Sequence, residues 1–439
     1  MRGGHPGGAG DRRRYERQIE RLHQRYLLTS RLYEMRQSDV SLPSIVMNRG
    51  KVARLLAREV GEGRYELEPG ELRTIRARHK TREVFACRIT DLIVHGVVSD
   101  IVQDTVSPRL SRRVFSYRKG LSWLNPIAEL GRYLRAERGR HTDPKSRGVY
   151  VLRRDVDSYT DSIPIGRDSP LWPMLAAELG APLPPLLEQV IRVEMRVPEG
   201  GIVCRVKGLP MGQPIAAIIA NLYLSELDRE LETIPGGFYA RYGDDFLFAH
   251  PDPAVARDAE SVIDRILDSL WLTVNATKRR TLYLTTAGRA SAEWQDAKGA
   301  SSVPFLGTSI SADGTIGLDD KKVRSLLREL DRRTSVTART LRGAGREQAG
   351  RAVCSVVGRA LDPRSALTQQ RSAIALRRVV TDRRQLEQLD YWIARIVVKA
   401  LTGRRDARGF REIPYRKLRR DWGLVSLVAA RNRRPRARV

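Results

Sequence analysis

The sequence predicts an α+β fold, and three observations carry that expectation. Around residues 238–249, two short runs of strand-forming residues flank a Gly-Asp corner. Phe238, Ala240 and Tyr242 alternate before Gly243-Asp244, and Phe246 and Phe248 alternate after it. Strand, two-residue turn, strand is a hairpin signature, with glycine first in the turn to supply a positive φ. A further strand is read from Gly148 to Val156, where Val149 and Val151 alternate with Tyr150 and Leu152. The C-terminal part is helical instead. Val323, Leu326, Leu327 and Leu330 recur at helical spacing, and so do Leu386, Leu389, Ile393, Ile396 and Ala400.

The elements follow in order along the chain. Residues 1–11 are Gly-rich and expected to be disordered. Residues 12–37 read as a basic helix with Ile19, Leu22, Tyr26 and Leu27 on one face, and Lys51 to Val60 as another helix. Residues 1–60 thus form a basic helical extension. A segment over 61–145 ends in the polar stretch Arg138-Gly139-Arg140-His141-Thr142-Asp143-Pro144, which has loop chemistry. A mixed strand and helix segment covers 146–317, with a Pro-rich linker at Ala181-Pro182-Leu183-Pro184-Pro185. Pro214 opens a helix whose stripe is Ile215, Ile218, Ile219 and Leu222. The remaining 318–439 is helical, opened by Asp319 and Asp320, and its arginine-rich tail is expected to order only on phosphate.

The composition narrows the function classes. Of 439 residues, 41% are hydrophobic and 30% charged, which fits a soluble globular protein with two or three lobes. Lys and Arg number 79 against 51 Asp and Glu, a net +28 that points to a polyanionic partner. The longest apolar run, around Ile215 to Leu224, is too short to span a bilayer, so no membrane is expected. No secretory signal follows Met1, and Cys87, Cys204 and Cys354 are too far apart for a zinc cluster or a disulfide frame. A cytoplasmic protein with buried, inert thiols is the expectation.

The chemistry is read from carboxylates. Asp244 and Asp245 stand at the tip of the hairpin, where two like charges repel unless a cation holds them. Asp155 ends the strand at Gly148 to Val156. One carboxylate from that strand and one or two from the hairpin build a two-metal site. Magnesium favours hard oxygen ligands. Two ions roughly 3.5–4 Å apart activate an attacking oxygen and stabilise a leaving one. Asp157 shares the face of Asp155 if the strand continues. Aspartates are also ordinary turn residues, so the hairpin pair has a plain reading too.

Here a resemblance emerges. Asp155-Val156-Asp157-Ser158-Tyr159-Thr160-Asp161-Ser162-Ile163 resembles the first catalytic motif of reverse transcriptases, and Tyr242-Gly243-Asp244-Asp245 their Tyr-x-Asp-Asp box. Between them, Lys207-Gly208-Leu209-Pro210-Met211-Gly212-Gln213-Pro214 is similar to the Leu-Pro-x-Gly motif. Leu272-Thr273-Val274-Asn275-Ala276-Thr277-Lys278 resembles the next motif, and Phe305-Leu306-Gly307 the primer-grip hairpin. Arg82 to Val98 and Ser116-Tyr117-Arg118-Lys119-Gly120 look like the fingers of bacterial members. The likeness runs from about Arg73 to Ile310 in the family's order.

The resemblance implies a right-hand polymerase: fingers over 61–145, an antiparallel-sheet palm over 146–317, and a helical thumb with a C-terminal helical extension over 318–439. It implies nucleotidyl transfer with two Mg²⁺ ions, Mn²⁺ being an alternative. Asp155 and Asp244 would hold metal directly with the Val156 carbonyl, and Asp245 would act as a third metal-site carboxylate that supports them. Lys278 would act as general acid for departing pyrophosphate, though it lies in a charge run with Arg279 and Arg280. Arg82 and Arg88 would clamp the triphosphate, since a guanidinium fork matches phosphate oxygens. Tyr159, Thr160, Gly212 and Gln213 would line the nucleotide pocket. Lys207, Gly208, Pro210, Phe305, Leu306 and Gly307 would meet primer or template.

Two departures stand out. The family usually has Phe or Tyr five residues after the first catalytic Asp, where the ring blocks a ribose 2′-hydroxyl. Here that position is Thr160, and Met211 stands where many members have Gln. Both weaken the expectation of strict deoxynucleotide use. The resemblance is nearest to stand-alone bacterial enzymes of abortive-infection and phage-defence systems, without the retron-type Val-Thr-Gly box. The expected partners are an RNA template, a dedicated noncoding RNA being one candidate, a DNA product, nucleoside triphosphates, and a second copy or a partner protein. An RNA-dependent or template-independent polymerase using ribonucleotides is one alternative, and a non-catalytic RNA-binding scaffold is another.

Overall fold

A computed structural model describes residues 10–29, 41–77, 80–140, 148–196, 200–363, 371–404 and 406–432. In chain order its strands are β1 (Gly70–Ala77), β2 (Lys80–Ala86), β3 (Val149–Asp155), β4 (Glu194–Arg196), β5 (Ile202–Cys204) and β6 (Phe238–Tyr242). They continue with β7 (Asp245–His250), β8 (Arg280–Leu284), β9 (Lys298–Ala300), β10 (Ser302–Phe305), β11 (Thr308–Ser311) and β12 (Ile316–Leu318). The chain divides into two compact units. The first is Met1–Leu121, Arg153–Phe248 and Arg257–Arg280, and the second is Ser122–Leu152, Ala249–Ala256 and Thr281–Val439.

In the first unit, helix Arg12–Thr29 packs on Arg49–Gly61 and on Ile89–Val106. Tyr15 and Ile19 are fully buried among Ile45, Leu56, Ile93 and Val94, which closes an apolar cluster under the N-terminal region. The stripe read from the sequence is corrected at Leu27, which is 66% exposed, while Tyr15 joins the buried face. The reason is rotational: Leu27 lies eight residues beyond Ile19 and has drifted off the core side of the helix. The part of the expected 12–37 helix beyond Thr29 falls on residues 30–37, outside the described residues.

A four-stranded sheet in this unit runs β2-β1-β4-β5, with β1 antiparallel to β2 and parallel to β4. The Pro-rich stretch joins helix Leu171–Leu179 to the next helix, and only Pro185 of it is helical. Pro184 precedes and Pro185 begins the helix Pro185–Arg192, where a missing N–H costs nothing. Helix Pro214–Tyr223 starts at Pro214 and buries Ile215, Ile218, Ile219 and Leu222, as their spacing predicts. The hairpin strands β6 and β7 are buried on both faces rather than one, so their apolar runs are continuous.

In the second unit, β10, β11 and β12 form an antiparallel sheet. The β10–β11 turn is Leu306-Gly307, both with positive φ (49° and 84°), the conformation of a tight two-residue hairpin. Helix Asp320–Thr340 is capped by Asp319, whose carboxylate accepts from the Lys322 amide at 2.7 Å. It packs on helices Arg346–Leu361 and Arg383–Thr402. Leu326 and Leu330 are its buried contacts, and Leu386, Leu389 and Ile393 are buried on the last of these helices.

The cysteine expectation holds for two of three. Cys87 and Cys354 are buried, with burial pushing the Cys354 thiol up to about 12, but Cys204 is exposed on the short strand β5. Among the described residues, no helix is long and apolar enough to cross a membrane.

Candidate active site

The site is built where β3 ends in the first unit. Asp155 is its last residue, and backbone bonds on both sides fix the next turn. Asn275 donates its amide to the Asp155 carbonyl at 2.8 Å, and the Asp157 amide donates to Thr273 at 2.9 Å. Val156 bridges Val274. Its amide donates to the Asp244 carbonyl at 3.3 Å. That bond continues the pairing of β3, which carries Asp155, with β7 of the hairpin that carries Asp244. Residues almost ninety positions apart become backbone neighbours.

The hairpin turn has the expected form. Gly243 has φ +69°, and Asp244 beside it is not among the positive-φ residues. Asp244 and Asp245 do not project into solvent as an exposed tip, however; both are half-buried. Burial, reinforced by the facing Asp155 charge, raises the Asp244 carboxyl above its ordinary range. Such a carboxylate gains from any cation brought to it.

Lys278 supplies one such charge. Its ammonium donates to Asp155 Oδ1 at 2.6 Å, and that bond, with the Coulomb attraction of the three aspartates, raises the lysine's pKa. Asp245 is engaged differently. Arg153 grips it with two parallel bonds, Nε to Oδ1 at 2.9 Å and Nη2 to Oδ2 at 2.7 Å. Burial raises the Asp245 carboxyl, and Arg153 opposes that rise. Among the described residues, no group of three or more His, Cys, Asp or Glu side chains is placed to hold a metal. Asp245, expected to support Asp155 and Asp244 at the metal site, is thus paired with Arg153.

Beneath the turn lies a fully buried polar network. Arg241 and Asp228 are both 0% exposed and form a bidentate pair, Nε–Oδ1 at 2.7 Å and Nη2–Oδ2 at 2.5 Å. Burial alone would lower the arginine's pKa, but Asp228 more than reverses that. Arg241 also donates to the carbonyls of Gly243 (3.2 Å) and Asn221 (2.9 Å). From the other side, the Gly243 amide donates to Ser116 Oγ at 3.0 Å, and Ser116 Oγ donates to Asn221 Oδ1 at 2.9 Å. Both backbone groups of Gly243 are thus held by buried side chains.

The loop before helix Pro214–Tyr223 is joined to the same region. Pro164 bridges Lys207, Gly208 donates to the Ile163 carbonyl at 2.8 Å, and Leu209 to the Thr160 carbonyl at 2.8 Å. Lys207 is exposed, Gly212 takes φ +99°, and Thr160 is half-buried. The other residues expected at the pocket are placed as follows. Tyr159 is buried, its hydroxyl donating to the Ala220 carbonyl at 2.5 Å, so the ring is a core residue. Gln213 is buried with its amide on Cys87 Sγ at 3.6 Å, and Pro210 is buried too. Arg88 directs its guanidinium to Asp91, Glu68 and the Glu66 carbonyl, so as a triphosphate clamp it would first have to break those bonds. Arg82 lies on β2 opposite Ile75; its side chain is outside the described residues. In the second unit, Phe305 is buried, which leaves Leu306 and Gly307 of that hairpin partly open to solvent.

Arg153, Ser116, Asn221, Asp228 and Arg241 were not expected to serve the site. One signal was present: Arg153 precedes Asp155 by two residues, and period two puts both on one face of the strand. Nothing in the sequence marks Asp228 as the partner of Arg241.

Comparison with known proteins adds the family. Among curated proteins, no relative matches the sequence. Telomerase from Candida albicans, in a complex with a fragment of telomeric RNA, aligns at TM-score 0.43 and 13% identity, covering 80% of this chain and 63% of that one. Apo telomerase from Candida tropicalis aligns at 0.43 and 10%, covering 88% and 79%. These values are too low to speak to function. The family model described as reverse transcriptase (RNA-dependent DNA polymerase) matches residues 80–310, more than half of the chain, and spans every carboxylate of the site. With a mixed α+β fold and its aspartates gathered at one strand end, this chain belongs to the reverse transcriptase family of nucleotidyltransferases.

Proposed function

We propose that this chain copies an RNA template into DNA by nucleotidyl transfer at Asp155 and Asp244. The observation that carries the reading is the bond from the Val156 amide to the Asp244 carbonyl, with the Lys278 ammonium on Asp155. The buried Asp155 and half-buried Asp244 carboxylates, already drawing one cation, are hard oxygen donors of the kind Mg²⁺ or Mn²⁺ takes. Asp155, Asp244 and the Val156 carbonyl would hold the ions. Held there, a divalent pair would supply activation of an attacking hydroxyl and charge compensation on the departing phosphate.

The chain's own residues do the positioning. Arg153 neutralises Asp245, so that the turn carries less repulsion. Arg241 and Ser116 hold Gly243 from two sides and set the direction of Asp244. Lys278 stays protonated well above neutral pH and stands within reach of a leaving oxygen as a proton donor or a compensating charge. The loop through Gly208 to Gly212, fixed to the Thr160 region, lines the space for the incoming nucleotide. The net charge of +28 serves the grip on template and product.

Primer extension on a defined RNA template tests this directly. Labelled deoxynucleotide should be incorporated with Mg²⁺ or Mn²⁺ and lost in Asp244→Asn. Undiminished incorporation by that variant would refute the assignment.

A second reading, ribonucleotide use, is favoured by one observation. Tyr159 is committed to the core, so the side chain left at the sugar-gate position is Thr160. A threonine leaves room for a 2′-hydroxyl where an aromatic ring would not. Supplying each nucleotide class separately decides between the readings. A role in bacterial antiviral defence, with a dedicated noncoding RNA or a partner protein, rests on the motif resemblance alone. Phage plating efficiency with the wild-type chain against Asp244→Asn tests it.

A further inference from the structure

Helix Arg383–Thr402 lies beyond the family match, which stops at residue 310. Its inner face buries Leu386, Leu389, Ile393 and Val397. Its outer face presents Tyr391 and Trp392, each 45% exposed. Two large rings side by side in solvent are unusual for a packed helix. They are also organised. Trp392 and Tyr391 meet edge to face at 5.6 Å, and Phe410 lies 6.3 Å beyond Tyr391, making a row of three rings. The Arg395 guanidinium sits 4.9 Å over Trp392 and 5.8 Å over Tyr391, at the i+3 and i+4 positions that a helix brings together.

The charge around this row has one sign. Residues 383–420 hold twelve Lys and Arg against four Asp and Glu. Of the four, Asp390 is buried and accepts from Leu427 and Ser426, Glu387 pairs with Arg383, Glu412 pairs with Arg404, and Asp406 is exposed. What faces solvent is a basic, aromatic surface. Arginines collect phosphates, and flat rings offer stacking to any base whose face is open. In a duplex those faces are already stacked, so such a surface distinguishes unpaired strands.

We propose that Trp392 and Tyr391 form a stacking platform for the unpaired bases of a single-stranded nucleic acid, with Arg395 and its basic neighbours holding the phosphates. The platform is separate from the proposed chemistry at Asp155 and Asp244. It is therefore tested in full-length Asp244→Asn protein, where failure of the polymerase reading cannot affect the result.

The experiment measures binding of a labelled twelve-nucleotide single-stranded RNA and of a duplex of equal length, at several salt concentrations, with Trp392→Ala, Tyr391→Ala and Trp392→Phe. Trp392→Ala should weaken single-strand binding on the order of tenfold, with Trp392→Phe restoring most of it and duplex binding changing far less. A second readout covers the case in which other basic surfaces dominate affinity. Photocrosslinking with 4-thiouridine-substituted RNA should label the peptide containing Tyr391 and Trp392. Single-strand affinity unchanged by Trp392→Ala, together with crosslinks absent from that peptide, would overturn the proposal. So would an acidic peptide crosslinking there in preference to RNA.

Discussion

Arg153 holds Asp245 by both carboxylate oxygens, at 2.9 and 2.7 Å, while the neighbouring Asp244 has no comparable arginine and its carboxyl is pushed above its ordinary range by burial and by Asp155. Burial raises both carboxyls, but of the two only Asp245 is gripped by an arginine fork among the described residues, so adjacent residues of one turn differ in their partners.

This division orders the effects of removing each carboxylate. Asp155→Asn and Asp244→Asn should each lower the primer-extension kcat on the order of 10³-fold or more. Asp245→Asn should cost only about 10- to 100-fold, because it removes a partner of Arg153 rather than an oxygen facing the cation. Arg153→Gln should resemble Asp245→Asn in kcat. Single-turnover incorporation rates check the ranking. Equal losses at Asp244 and Asp245 would show that Asp245 turns to the metal during turnover.

The Arg241–Asp228 pair is fully buried, and breaking it exposes the cost of an uncompensated charge. Arg241→Ala should destabilise the protein by about 3–5 kcal/mol. The double variant Asp228→Leu with Arg241→Met should regain much of that stability, since apolar side chains of similar volume replace buried ion pairs at little cost. It should not regain activity, because the Gly243 carbonyl has lost its donor. Denaturant unfolding and nucleotide incorporation on the same samples separate the two roles.

The raised Asp244 carboxyl gives a pH dependence of definite sign. Its folded pKa exceeds its unfolded one, so the folded protein keeps the proton longer. Stability is then highest below the unfolded carboxyl range, and part of it is lost as pH rises through the folded value. Asp244→Asn should accordingly be more stable than wild type at neutral pH, by about 0.5–2 kcal/mol, the gain usual when a strained active-site group is relieved. The difference should shrink as pH falls toward the unfolded carboxyl range. Lys278 has the same sign of linkage at higher pH: its raised pKa stabilises the fold below the ordinary lysine value, and that contribution fades only as pH rises through the folded one. Thermal unfolding of wild type and Asp244→Asn from pH 4 to 9 tests the Asp244 contribution.

Thr160→Phe should rebuild a sugar gate. The expected effect is a 10- to 100-fold rise in the kcat/KM ratio of deoxynucleotide over ribonucleotide, the size a steric contact in a pocket supplies. Competition between the two nucleotide classes on one template measures it.

Much of this was legible in the sequence because it depends on local rules. The Gly243-Asp244 turn follows from glycine's access to positive φ and from strand alternation on either side. Pro214 and Asp319 mark helix starts by the chemistry of the first turn. The ends of β3 and the order of the motifs name Asp155 and Asp244 without coordinates. Periodicity, caps and turns act over a few residues, and few residues suffice to read them.

Tertiary structure decided what stands opposite each of those groups. Tyr159 reads as a pocket residue by position, yet its hydroxyl meets Ala220, sixty-one residues away, and the ring is core. Arg88 reads as a clamp until Asp91 and Glu68 occupy its fork. Asp245 and Asp244 are indistinguishable as letters, and only the approach of Arg153 separates them. A pattern of period two or 3.6 fixes which face a side chain takes, but its partner comes from a distant segment through packing. The charge state of a carboxylate is set by that partner and by the water it excludes.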